Sequence, residues 1–181
     1  MDSRKLLVFS DTHGGVSSLR TVFNWAVNLL PPNDTLCAAA FLGDGISDLQ
    51  TAASKSNFYC EWKIVKGNND FGFSIPESAV MEFADHNFFL CHGHRHSLYG
   101  GFHSLVNAAS KNNADIVLFG HTHVPSIKTA DGVLLINPGS VGRPRSKIGA
   151  TFAIIECVSG EPPDVKFYNI DHGKIREIFL F

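Results

Sequence analysis

Five short apolar runs of this chain each stop at a polar block that contains glycine and a side chain able to hold a metal. Leu6 to Phe9 runs into SDTHG, Leu36 to Leu42 into GDG, Trp62 to Val65 into GNND, Phe88 to Leu90 into CHGH, and Ile116 to Phe119 into GHTH. Short aliphatic, β-branched and aromatic runs of this kind predict buried strands. In an open α/β sheet the ligand crevice lies beyond the carboxyl ends of the strands. Parallel strands would therefore collect Asp11, His13, Asp44, Asn68, His92, His121 and His123 at one edge. Asp11 with His13, and His121 with His123, are spaced i, i+2, which an extended backbone sends to the same side. Each block alone reads as an ordinary turn or loop. Their recurrence at five strand ends, with glycine allowing tight backbone at each, points to one shared polar site.

The segments between the runs set the architecture. VSSLRTVFNWAVNLL carries Val16, Leu19, Val22, Phe23, Ala26, Val27 and Leu30 on a helical stripe that Pro31 and Pro32 end. SDLQTAASKS, after Gly45, predicts a second helix capped by Ser47, and Phe102 to Lys111 a third. Beyond Gly120, SIKTADGVLLIN sets Asp131-Gly132 between two strand-like arms, a hairpin signal. ATFAIIECV and DVKFYNI flank the Pro162-Pro163 turn as antiparallel strands, and KIREIFLF comes next. The expected fold is α/β, with two packed sheets and helices outside. A chain of 181 residues with 44% hydrophobic content fits a single domain over 1–181, and no repeat or linker divides it.

Composition narrows the function classes. A net charge of -2 and a pI near 6.5 lack the basic footprint of a nucleic-acid binder. Cys37, Cys60, Cys91 and Cys157 form no C-x-x-C pair, so reduced thiols in a cytoplasmic setting are expected. The N-terminal apolar run is too short for a signal-peptide core, and no run approaches the ~18 residues of a membrane span. A soluble protein acting on a small molecule, without a membrane partner, is the expectation; homo-oligomerisation is left open.

Two carboxylates, four imidazoles and one amide oxygen form a mixed N/O set suited to manganese, zinc, iron or cobalt and poor for calcium. The absence of thiolates disfavours a structural zinc site. Seven ligands exceed the needs of one tetrahedral ion, whereas two metals sharing a carboxylate would use them all.

The motifs D-x-H-G, G-D, G-N-x-D, H-G-H and G-H-T-H, in that order, resemble those of the calcineurin-like metallophosphoesterases. With NPGS at Asn137 to Ser140, the chain is similar to their small prokaryotic phosphodiesterase branch. The resemblance implies a four-layer α/β/β/α sandwich of two mixed sheets flanked by helices. It implies one metal on Asp11, His13 and His123, another on Asn68, His92 and His121, and Asp44 bridging them. The family's metals are manganese, iron, zinc or nickel, with manganese the first expectation here. The implied activity is hydrolysis of a small phosphodiester by metal-activated water, without a covalent intermediate.

Many members of the family carry histidine after the motif asparagine as general acid, where this chain has Asn69. An amide gives up no proton at neutral pH, so leaving groups that depart as stable anions are favoured unless another residue substitutes. His94, in H-G-H, is the nearest by sequence. Arg143 and Arg145 read as solvated loop charges rather than phosphate ligands, and His86, His96, His103 and His172 fit no motif. A phosphomonoesterase or nucleotide hydrolase on the same site is the near alternative. A scaffold protein on the same fold, like the retromer subunit that has lost metal ligands, is the distant one. The presence of all seven ligands favours an enzyme.

Overall fold

The computed structural model of the protein describes residues 3–29 and 37–180. Its central strand is β1 (Arg4–Phe9), whose side chains alternate between two apolar clusters. Leu6 and Val8 enter one cluster and Leu7 and Phe9 another, as the period of two in a strand requires. On one side of β1, β2 (Cys37–Phe41) and β3 (Glu61–Ile64) continue the sheet in parallel. On the other, β9 (Ala150–Cys157), β10 (Asp164–Asp171) and β11 (Lys174–Ile178) continue it antiparallel. The second sheet has five strands, β4 (Ser78–Phe83), β5 (His86–Cys91), β6 (Ile116–Leu118), β7 (Ser126–Ala130) and β8 (Val133–Asn137), in the order β4-β5-β6-β8-β7. There β5, β6 and β8 run parallel, while β4 and β7 are antiparallel edges.

The layers are set by the face that each residue occupies. Leu6, Val8, Ala40 and Leu42 of the first sheet meet Phe88, Leu90, Leu118 and Ile136 of the second between the sheets. Helices α1 (Val16–Leu29) and α2 (Ile46–Ala53) cover the outside of the first sheet. Helix α3 (His103–Lys111) covers the second through Leu105, Val106 and Ala109, packed against Phe89, Val117 and Phe119. In α1, Leu19, Val22, Phe23 and Ala26 are fully buried, the i, i+3, i+4, i+7 face of a helix. Phe9 meets Phe23 edge-on at 6.0 Å and stacks on Phe152 at 5.8 Å. The result is the four-layer α/β/β/α sandwich with two mixed sheets. No helix among the described residues is long and apolar enough to cross a membrane. Cys91 and Cys157 are buried thiols, and burial pushes them up to about 12 and about 11.

Two features depart from the sequence pattern. Strand β4 is an additional strand, joined to β5 by the turn residues Ala84 and Asp85, whose φ angles are 48° and 64°. Such a turn usually carries Asn-Gly or Asp-Gly, the signal present at Asp131-Gly132 between β7 and β8 and missing here. Helix α2 starts at Ile46 with Gly45 as its cap residue, so Ser47 lies within the helix and does not cap it. Its first amides are instead satisfied by Asp70, from the loop after β3. The expected stop of α1 at Pro31 and Pro32 lies outside the described residues.

The loops after β2 and β3 touch through glycines. A Cβ on Gly67 would lie 2.0 Å from Asp44 Oδ1 and 2.6 Å from the Asp44 nitrogen. Gly67→Ala should therefore cost ~1–3 kcal/mol through overpacking, lowering Tm by roughly 2–4 °C per kcal/mol. Gly100, with nothing within 4 Å of the position of a Cβ, is the control: Gly100→Ala should stay within ~0.5 kcal/mol. Equal thermal unfolding of the two variants would refute the tight approach.

Candidate metal centre

The blocks after β1, β2, β5 and β6 turn sharply. Asp11, His13, Asp44, His121 and His123 have φ angles of 56°, 41°, 61°, 68° and 60°, in the left-handed region that costs a residue with a Cβ of order 1–3 kcal/mol. Backbone hydrogen bonds hold these turns: Asp11 N donates to Gly43 O at 3.0 Å, Thr12 N to Asp44 O at 2.9 Å, and Gly120 N to His92 O at 2.9 Å. Each sheet thereby stitches together the ends of its own parallel strands.

The side chains so presented converge. Asp11 Oδ2 accepts from Ser10 Oγ at 2.6 Å and from the His121 amide at 2.9 Å. Its Oδ1 is buried without a hydrogen-bond partner, facing His123 Nε2 at 3.2 Å, His13 Nε2 at 3.7 Å and His92 Nε2 at 3.9 Å. Asp44 Oδ2 lies 3.4 Å from His92 Nε2 and 3.5 Å from His13 Nε2. The rings of His13 and His123 stack at 4.9 Å, with their Nε2 atoms 3.3 Å apart. Ligand atoms of Asp11, His13 and His123 fall within 4.8 Å of one another, as do those of Asp11, Asp44 and His92.

Two backbone carbonyls set the imidazole tautomers. His92 Nδ1 donates to Leu42 O at 2.7 Å, and His123 Nδ1 donates to Arg143 O at 2.5 Å. Each ring, when neutral, then directs the lone pair of Nε2 into the centre, the arrangement found around metal-ligating histidines. Burial opposes ionisation of Asp11, but His123 and His13 beside it, the charge of His92 and the Ser10 hydroxyl hold its carboxyl well below the usual range. Asp44 is also opposed by burial and is lowered to about 2 by His92 and Asn69. His13 is raised, chiefly by Asp11. His92 is raised because Asp44 and Asp11 outweigh its burial. Buried Asp11 Oδ1 and His92 Nε2, both without hydrogen-bond partners, and a donor set of carboxylates and imidazoles fit a divalent transition metal.

The other candidate residues occupy varied positions around this cluster. His121 is outside both tight groups, its ring 5.1 Å from that of His92, and burial and then the charge of His92 lower its pKa. Asn68 is exposed. Its neighbour Asn69 donates to Asp44 twice, from the backbone to Oδ1 at 2.8 Å and from Nδ2 to Oδ2 at 2.6 Å. His94 sits 5.4 Å from His92 with a buried Nδ1 that has no partner, and burial lowers it. Arg143 and Arg145 are exposed and meet His123 through their backbones. His86 and His96 pair with Asp115 and Ser104.

Three supporting residues carry no role in the sequence pattern. The Asp70 carboxylate accepts four backbone N–H groups, from Asp44 at 2.7 Å, Gly67 at 2.8 Å, Gly45 at 2.8 Å and Ile46 at 2.9 Å. Its signal was the last letter of G-N-x-D. Ser140 Oγ donates to Asp11 O at 2.6 Å and accepts from Arg143 N at 2.7 Å, while Asn137 Nδ2 donates to Gly120 O at 2.8 Å. The NPGS segment is thus a brace linking the strand ends of both sheets.

The fold agrees with what comparison with known proteins shows. The calcineurin-like phosphoesterase superfamily domain matches residues 5–160, and the chain belongs to that superfamily. A probable metallophosphoesterase of Mycoplasma pneumoniae is 31% identical over 171 residues, covering 91% of this chain and 96% of the relative. The structure of a conserved predicted phosphoesterase from Streptococcus pneumoniae superposes with a TM-score of 0.73 at 28% identity, covering 98% of each chain. Vacuolar Protein Sorting 29 from Cryptosporidium parvum shares the fold, with a TM-score of 0.76 at 19% identity over 97% of this chain and 96% of that one.

Loss of the Asp70 carboxylate leaves four amides to find other partners. Asp70→Ala should destabilise the protein by at least ~3 kcal/mol, given ~1–3 kcal/mol for each buried donor left unsatisfied. Asp70→Asn, which keeps one acceptor oxygen, should fall between Ala and wild type in urea unfolding. An Asp70→Ala variant as stable as wild type would show that water replaces the carboxylate without loss.

Proposed function

We propose that the protein is a phosphodiesterase that works with two divalent metal ions, manganese foremost, on a small phosphoester. The observation that carries this reading is the pair of buried atoms without hydrogen-bond partners, Asp11 Oδ1 and His92 Nε2, facing each other across the strand ends of the two sheets. Asp11, His13 and His123 would hold one ion, and His92, His121 and Asn68 the other, with Asp44 between them. Ions bound there supply Lewis acidity toward phosphoryl oxygens and bring the pKa of water toward neutrality. The chain's own contribution is orientation. The carbonyls of Leu42 and Arg143 keep two imidazoles aimed inward, and Asn69 grips both oxygens of Asp44.

Asn69 also bears on the substrate. Its amide has no proton to give a departing alkoxide, and its Nδ2 hydrogen bond is directed to Asp44. This favours diesters whose leaving group departs as a stable anion over esters that need protonation. A second reading, a binding protein on this fold, draws support from the similarity to Vacuolar Protein Sorting 29. The converged ligands favour the enzyme.

Manganese-loaded and desalted protein should retain about two ions per chain by elemental analysis, as a two-metal site requires. His92→Ala and His121→Ala should each lower kcat/KM for bis-p-nitrophenyl phosphate by more than the ~10- to 100-fold typical of losing a ligand's supporting partner, with native circular dichroism. Wild-type protein without turnover would favour the binding reading.

Across a series of aryl phosphodiesters, log kcat/KM should fall steeply as leaving-group pKa rises. Asn69→His should flatten that dependence, recovering part of the ~10²- to 10⁴-fold worth of a general acid. A flat series in wild type would mean that another residue supplies the proton.

A further inference from the structure

Two cavities of unequal size flank the centre. The one beside His92 and His94 has a volume of ≈ 90 Å³, too small for a ring with its substituents. The other, ≈ 440 Å³, is bounded by His13, Asp44, Ser47, Asp48, Phe71 and Phe73 among others, and its size is that of a small-ligand pocket. It opens directly onto Asp44 and His13, so a group placed there is within reach of a phosphate at the centre.

Phe71 is 82% exposed at the border of this cavity. A lone exposed aromatic is common, but this one is held from both sides. The residue before it, Asp70, is bonded to four backbone amides. Two residues after it, Phe73, with Ile75, packs against the apolar cluster between the first sheet and its helices. The backbone that presents Phe71 is thereby ordered in advance, and a ligand stacking on the ring pays little of the ordering cost that binding usually carries. Stacking suits a flat partner.

The rest of the wall selects by charge. Asp44, Asp48 and Asp70 line the cavity with His13, and among the described residues no lysine or arginine does. With Asp44 given to the metal centre and Asp70 bonded to four backbone amides, Asp48 is the carboxylate whose charge bears on an occupant. Asp48 Oδ2 is held by Thr12 Oγ1 at 2.5 Å and Gly14 N at 2.7 Å, which fixes its charge facing the space. A second phosphate or a carboxylate would be repelled there, whereas a neutral group would be accepted. We propose that this cavity is the substituent subsite, and that it takes an uncharged planar aromatic group of the phosphoester, stacked on Phe71. The proposal rests on the phosphoesterase reading above. Simple aryl groups and nucleobases share the required chemistry.

The test uses manganese-loaded protein hydrolysing bis-p-nitrophenyl phosphate, inhibited by methylphosphonate, phenylphosphonate or a nucleoside 5′-phosphonate. Phenylphosphonate should inhibit ~3- to 10-fold more tightly than methylphosphonate, the scale of one aromatic contact. Phe71→Ala should erase that preference while leaving inhibition by methylphosphonate as it was, and Phe71→Tyr should retain it. A nucleoside phosphonate that inhibits more tightly than the phenyl compound, with the same loss in Phe71→Ala, identifies a base as the natural occupant; the reverse order identifies a simple aryl group. Turnover with equal inhibition by phenyl- and methylphosphonate, or a phenyl preference that survives Phe71→Ala, overturns the subsite. Failure of the enzymatic reading is a separate result, wild-type protein with no turnover at all, and the subsite falls with it.

Discussion

A parallel strand buried on both faces can place no polar side chain along its length without leaving it unsatisfied. In this chain Leu6–Phe9 of β1, Ala38–Phe41 of β2, Phe88–Cys91 of β5 and all of β6 are buried in this way, and the candidate ligands lie in the loops at the carboxyl ends of these strands. Leu6 to Phe9 is fully buried, and Asp11 comes two residues later. Because β1 belongs to one sheet and β5 and β6 to the other, packing the sheets face to face brings two sets of strand ends together. The site is a consequence of that packing, and the depth of the core beneath it keeps Asp11, Asp44, His92 and His123 out of water.

Such convergence has a cost, visible in the backbone. Five of the candidate ligand residues adopt left-handed φ angles, and two carboxylates lie in a largely buried space. The cost is offset by an extended scaffold. Asp70 gathers the amides around Asp44, Ser140 and Ser10 hold Asp11, and Asn137 ties Gly120 to the second sheet. Carbonyls at Leu42 and Arg143 orient imidazoles from elements far away in sequence. The side chains of the centre are thus held in place by the protein's own hydrogen bonds.

The same scaffold shapes the space beside the centre. The loop after β3 provides Asn69 to Asp44, Asp70 to the helix α2 amides, Phe71 to the large cavity and Phe73 to the core. Four consecutive or near-consecutive side chains thus link ligand geometry, helix capping and access to the site. That coupling gives a physical reason why a short irregular segment, rather than a strand or helix, governs this flank of the molecule.

The sequence by itself determined every strand but β4, the amphipathic α1 with its buried Leu19, Val22, Phe23 and Ala26, the Asp131-Gly132 hairpin, and the candidates for the centre, of which Asp11, His13, Asp44, His92 and His123 converge. Those are local properties, since apolar period, turn chemistry and donor type are each written within a few neighbouring residues. Tertiary structure alone decided the rest. Strand β4 exists because β5 offers it an edge across a turn without the usual glycine. Helix α2 is capped by Asp70, 24 residues beyond Ile46, and not by Ser47. His92 is oriented by Leu42, 50 residues away. Asn68 and Asn69 are both exposed, yet Asn69 bonds Asp44, and His121 stands apart from the two tightest groups. The cap of α2 and the orientation of His92 depend on which distant backbone group lies within about 3 Å of a side chain, and that distance is defined only after the chain has packed.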